Sequence, residues 1–176
     1  MNYTHPTIES IFLHYKTILG KDYTKYKNHV YRVFLNCILI DTKESNEEKY
    51  AVAAVFHDIG IWTNNTIDYL NPSIEQAKKY LVENNKQHWT DEIAQMIYAH
   101  HKTGVYEGEY SATVENFRKA DYIDVTLALF TYGFDRKKII DNRKKFPNSG
   151  FHLFLIKKIT KNFFRHPLNP LPMFTR

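Results

Sequence analysis

The sequence predicts an all-α protein, and three observations predict it. Apolar residues recur at three- and four-residue steps through nearly every segment. Glycines and helix-starting residues punctuate those segments at helix-length intervals. No stretch alternates apolar and polar residues as a half-buried strand would, and no internal repeat, low-complexity run or inter-domain linker interrupts the pattern.

Each helix has its own warrant. Thr7 to Leu19 carries Ile8, Ile11, Phe12, Tyr15 and Leu19 on one stripe, with Gly20 able to close it. Tyr26 to Ile40 sets Val33, Cys37 and Ile40 on one face. Asn46 to Ile59 has Asn46 as a cap, Glu47 and Glu48 in the first turn and Gly60 as its stop. Pro72 suits the first turn of a helix reaching about Asn84. Thr90 caps the next, with Asp91 and Glu92 behind it and Gly104 at its end. Ser111 to Tyr132 is a long helix closed by Gly133. Arg136 to Lys144 is short and basic, and Pro147-Asn148-Ser149-Gly150 is a turn. Gly150 to Arg165 opposes Phe151, Phe154, Leu155 and Ile159 to Lys157, Lys158 and Lys161. The tail HPLNPLPMFTR has too much proline for a helix.

At 176 residues the chain is expected to be one domain, large enough for a substantial core. It divides into a motif-bearing region of about 20–135, basic helices over 136–165 and an extended tail over 166–176. The lone cysteine, Cys37, excludes an intrachain disulfide and a cysteine zinc cluster. MNYTHPTIES has no basic stretch leading into an apolar core, so no signal peptide is expected. No apolar run reaches the ~18 residues of a membrane span. A reducing cytoplasm is the expected location. Charge is uneven: residues 134–176 hold 11 Lys/Arg against 2 Asp/Glu, a net +9, while residues 1–133 are net −4. That asymmetry reads as a solvated basic face or as attraction for an anionic substrate. No nucleic-acid motif and no membrane span accompanies it, so neither a polynucleotide nor a membrane is the expected partner.

Four residues carry the chemistry: His29, the adjacent His57-Asp58 and Asp121. The pair stands in AAVFHDIG, apolar enough to be buried, and an imidazole beside a carboxylate is costly to bury without a charge partner. A divalent ion is the simplest partner, because imidazole and carboxylate are its usual ligands. His29 shares a stripe with Val33, Cys37 and Ile40, and Asp121 shares one with Phe117, Asp124 and Ala128, so both face inward. His57 and Asp58 lie about 100° apart around the helix axis. Both can reach one ion because Gly60 stops the helix just beyond. The competing account makes each a satisfied core residue.

His29 in YKNHVYRVF, His57-Asp58 in AAVFHDIG and Asp121 in FRKADYID resemble the HD-domain metal-dependent phosphohydrolase superfamily, over roughly residues 20 to 135. The resemblance implies a helical bundle in which these four residues bind a divalent metal and hydrolyse phosphomono- or diesters, often of nucleotides. His100-His101 in MIYAHHKTG extends the pattern. The family's dinuclear branches, cyclic-dinucleotide phosphodiesterases and mixed-valent di-iron oxygenases among them, place further histidines near this position. Another usually stands near the start of the preceding helix. Here that place holds Asn71 or Ser73, and His88 falls later. One tightly held metal is therefore expected. His100 is then a second-metal ligand or a phosphate-contacting acid, and His101 a substrate contact.

Other polar residues near these positions are candidates as well. Arg32 lies one turn from His29, and Lys102, Arg118 and Lys119 flank the ligands in sequence. A cation there would stabilise charge developing on a phosphate, unless it is ordinary helix-surface solvation. Asp124 is a partner to the ligands or a base. The expected activity is metal-assisted hydrolysis of a small phosphorylated substrate, with Mn, Fe, Co, Ni, Zn or Mg as the ion. An oxygenase on the same fold, or a non-catalytic module binding a nucleotide or a partner protein, are the alternatives. No glycine-rich phosphate loop, G-x-S-x-G or cysteine-nucleophile context supports another chemistry.

Overall fold

The computed structural model describes residues 3–169 and 171–174, and every regular element among them is helical. Parts of the predicted tail, residues 170, 175 and 176, and the first two residues lie outside that range. In chain order the helices are α1 (Pro6–Leu19), α2 (Tyr23–Ile40), α3 (Glu44–Phe56), α4 (Gly60–Thr63), α5 (Leu70–Glu83), α6 (Thr90–Ala99), α7 (Ser111–Val125), α8 (Arg136–Lys145) and α9 (Phe151–Arg165). No helix among the described residues is long and apolar enough to cross a membrane.

Helix α3 sits at the centre. In its second half the small residues Ala51, Ala53 and Ala54 are fully buried along with Val52 and Phe56, so that half is apolar on every side rather than striped. It packs against α1, α2, α5 and α6, while α2 packs most extensively on α7. The stripe of α1 is buried as its spacing predicts.

Several boundaries differ from the sequence reading. Helix α3 begins at Glu44, and Asn46 does not cap it: its amide donates to Asp41 Oδ2 at 2.8 Å. Thr90 makes no side-chain cap to α6, which ends at Ala99 rather than near Gly104. That early end leaves His100 and His101 in a turn. Helix α7 ends at Val125 instead of running to Tyr132. It closes in a Schellman motif, with Leu127 N–H donating to Asp124 O (3.0 Å) and Ala128 N–H to Ile123 O (2.9 Å). Leu127 takes the left-handed position, φ +58°, where glycine is usual. The apolar contact of the motif, Ala128 against Ile123, is buried with Ile139 of α8 and offsets that strain.

Helix α3 ends at Phe56 rather than Ile59, and Gly60 opens α4 rather than closing α3. A Cβ at this position would stand 2.5 Å from Tyr69 O and 2.9 Å from Pro72 Cβ, so the start of α5 can approach the His57–Asp58 turn only over a glycine. The tail is not wholly extended. Pro172–Phe174 forms a short 3₁₀ turn, and Met173 is buried with Ile61, Tyr69 and Leu70.

Candidate metal centre

Four helices converge on one buried cluster. His29 comes from the middle of α2, His57 and Asp58 from the turn after α3, His100 from the turn after α6 and Asp121 from α7. The Nε2 atoms of His29 and His57 are 2.9 Å apart. Asp58 Oδ2 lies 3.6 Å from the first and 3.4 Å from the second. Asp121 Oδ1 lies 3.6 and 3.7 Å from the same two atoms. His100 Nε2 is 3.7 Å from Asp58 Oδ1.

The opposite ring nitrogens fix which atoms face inward. Nδ1 of His29 is 2.7 Å from Asp124 Oδ2, Nδ1 of His57 is 2.7 Å from Ala54 O, and Nδ1 of His100 is 2.6 Å from Ile97 O. Each partner is an acceptor, so each Nδ1 carries a proton, and Nε2 of His29 and of His57 keeps its lone pair. Asp58 Oδ1, Asp121 Oδ1 and His100 Nε2 are buried without a hydrogen-bond partner. An unmet buried acceptor costs about 1–3 kcal/mol, and one cation among these atoms would satisfy both carboxylates together. Ligand atoms about 2.1 Å from one ion stand about 3–3.4 Å from each other, close to the spacings observed. The donor set therefore fits a divalent metal: His29, His57 and Asp58 lie close enough together to share one ion, while Asp121 reaches the two imidazoles but falls outside that group.

Electrostatics agree. Burial drives the His57 imidazole down to about 3, keeping it neutral, and drives the Asp121 carboxyl up to about 6. Burial also works against charge on Asp58, but the surrounding imidazoles of His57 and His100 hold its carboxyl well below the usual range. His100 is raised despite burial, because Asp58 and Asp121 face it. Asp58, His100 and His101 form a second group of donors close enough to share an ion. His101 Nε2 is already engaged with the Tyr69 hydroxyl.

Arg32 differs from its expected role, and Asp124 takes the first of its two, partner to a ligand rather than base. Arg32 is 1% exposed; its Nε and Nη2 grip the Asp124 carboxylate at 2.6 and 2.9 Å, and Nη1 donates to Phe146 O. It has no free face for a substrate. Asp124 also accepts from Arg143 Nη1 at 2.6 Å, so its oxygens are committed to His29 and two guanidiniums rather than available as a base. Arg118 is likewise taken, in a bidentate pair with Glu115, and Lys119 lies 3.5 Å from the same carboxylate. Lys102 is exposed over the Tyr106 ring. Asn71 is exposed, and Ser73 is buried, accepting from Gly60 N–H; neither joins the cluster.

Residues not singled out from sequence also build the site. Phe151 stacks on His29 with ring centroids 4.1 Å apart. Tyr26, one turn before His29, accepts from Asp58 N–H at 3.3 Å and donates to Val55 O at 2.7 Å, tying α2 to the His57–Asp58 turn. Its place on the His29 stripe was a usable signal. Arg143 and Phe151 lie more than a hundred residues from His29 in the chain and carried none. Beside His101 a cavity of about 390 Å³ opens, lined by Tyr98, Lys102, Tyr106 and Phe174 among others.

Residues 26–126, more than half of the chain, match the HD domain family model. No curated protein and no solved structure matches the chain.

Proposed function

The chain belongs to the HD-domain family, and from that membership we propose that it is a metal-dependent phosphohydrolase. It cleaves a phosphomonoester or phosphodiester of a nucleotide or other small metabolite, with water as nucleophile. The observation that carries this is the set of buried, unpartnered atoms, Asp58 Oδ1, Asp121 Oδ1 and His100 Nε2, gathered around two imidazole lone pairs. His29, His57, Asp58 and Asp121 would hold the ion; mixed nitrogen and oxygen donors suit Mn, Fe, Co, Ni or Zn, and Mg is also in range. When bound, such an ion supplies Lewis acidity and lowers the pKa of a water toward neutrality.

The chain's own groups supply the rest. Asp124 and the Ala54 carbonyl hold the imidazole protons on Nδ1, so Nε2 of His29 and His57 stays a donor of electrons. His100 directs Nε2 at Asp58 and can carry a proton there for the departing oxygen. Lys102, at the rim, offsets phosphate charge. The second donor group, Asp58, His100 and His101, favours a two-ion version, which a di-iron oxygenase would also require. Iron content and oxygen consumption separate the two chemistries.

The test is a screen of the full chain loaded with each ion in turn. Release of p-nitrophenol from its mono- or bis-phosphoester, or of phosphate from a nucleotide panel, is expected with at least one ion. Silence across the panel overturns the hydrolase and leaves a binding module. His100→Ala is expected to lower the rate by about 10²–10⁴, the size of a lost acid–base contribution. Metal content then assigns the residue: halved, it ligates a second ion; unchanged, it serves as the acid. An unchanged rate removes His100 from the reaction.

A further inference from the structure

We infer that the outward face of α9 is a docking surface for an anionic lipid membrane. Helix α9 has two apolar faces. One packs inward, Phe151 on His29 and Phe154 on Trp62 at a centroid distance of 5.1 Å. The other consists of Leu153, Ile156, Phe163 and Phe164, all exposed, Phe164 to 80%. At about 100° per residue these four fall on a single stripe opposite Phe151. Scattered exposed apolar residues are ordinary, but four on one helix face, interrupted only by Thr160, mark a binding surface. Leu168, fully exposed, continues the apolar surface past the helix end.

Charge decides what covers the stripe. Lys157 and Lys161 are exposed one turn apart along its edge, and no carboxylate among the described residues pairs with either. Beyond them Lys158, Lys161 and Arg165 face Asn65 across a cleft of about 90 Å³, room for several water-sized groups such as the oxygens of a phosphate. No acidic residue lines that cleft. A second copy of the chain would set the +9 of residues 134–176 against itself. A nucleic acid would match the charge but leave four apolar side chains in water. An anionic bilayer surface meets both demands: the acyl boundary takes Leu, Ile and Phe, and headgroup phosphates take the cations. The helix is not apolar enough to span, so it lies in the plane of the interface. It also lies outside residues 26–126, so this surface is not part of what the family model matches.

The test is co-sedimentation of the full chain with phosphatidylcholine vesicles, with and without phosphatidylserine. Partition onto the phosphatidylserine vesicles is expected, weakening with salt. Lys157→Gln with Lys161→Gln should reduce the partition coefficient about 25-fold, about fivefold per cation. Phe163→Ser with Phe164→Ser should abolish it while leaving the helical circular dichroism unchanged, since both side chains are already exposed. The proposal is overturned if the folded chain stays in the supernatant with both vesicle types. It is also overturned if the variants partition like the native chain. Sedimentation of the native chain as a dimer that the phenylalanine variants dissociate would assign the stripe to a second copy, and retention on duplex DNA without vesicle binding would assign it to nucleic acid.

Discussion

Asp58→Ala is expected to abolish stoichiometric metal binding, and with it all turnover above background. Asp58 is the one residue common to both donor groups of the cluster, His29–His57–Asp58 and Asp58–His100–His101. Its Oδ2 faces the two Nε2 atoms of the first group and its Oδ1 faces His100. Alanine there removes the carboxylate that joins the two groups and leaves Asp121 as the remaining carboxylate facing His29 and His57. Ion binding stabilises the native state by about 2.7 kcal/mol at a hundred times Kd. For a chain of this length that is a melting shift of roughly 5–10 °C. The native protein should show that shift on adding metal, and Asp58→Ala should show none. Inductively coupled plasma mass spectrometry of the purified variant is the deciding measurement; a full equivalent of metal would move the site elsewhere.

The sign of the pH dependence follows from Asp121. Burial holds its carboxyl up to about 6. Below that value the metal-free protein keeps the proton, and an incoming ion must displace it. Metal affinity should therefore weaken as pH falls through 6 and level off above it. Isothermal titration in two buffers of different ionisation enthalpy reads the proton release directly.

The helical class and the cluster were legible for one reason: both are written in spacing. His29 on the Val33–Cys37 stripe and His100 on the Ile93–Met96–Ile97 stripe point inward, and all of these apolar partners are buried. What spacing cannot convey is where a long side chain is committed. Arg32 and Arg118 stand near ligands in sequence, yet their guanidiniums belong to Asp124 and Glu115. Glu115 is three residues before Arg118, a helical pairing distance that was there to be read. Helix ends were the other loss. The segment VTLALF keeps its apolar character past Val125, and only tertiary burial of Ala128 against Ile123 and Ile139 selects the turn. The roof that Phe151 makes over His29 depends on a contact spanning most of the chain, beyond any local pattern.

Asp124→Asn should be the most destabilising single change near the site, although the residue touches no ion. Its carboxylate is fully buried and accepts from His29 Nδ1, from Arg32 Nε and Nη2, and from Arg143 Nη1. Burial opposes charge there, but His29 and Arg32 hold its carboxyl well below the usual range. An amide presents NH₂ where one oxygen accepted, and it removes the negative charge that the buried Arg32 and the half-buried Arg143 pair with. Breaking a buried ion pair from one side costs about 3–5 kcal/mol, a melting-temperature loss of roughly 6–20 °C at this chain length. A purely structural role would stop there. Asp124 also fixes the His29 tautomer, and loss of such a partner weakens metal affinity by about 10–100-fold. Both readouts are expected together: lower stability by denaturant unfolding of the metal-free protein, and weaker metal binding measured where the variant is still folded. A loss below about 1 kcal/mol, the scale of an exposed pair, would show that the arginines find other acceptors. Unchanged metal affinity would show that His29 keeps its orientation from the stacked Phe151 ring alone.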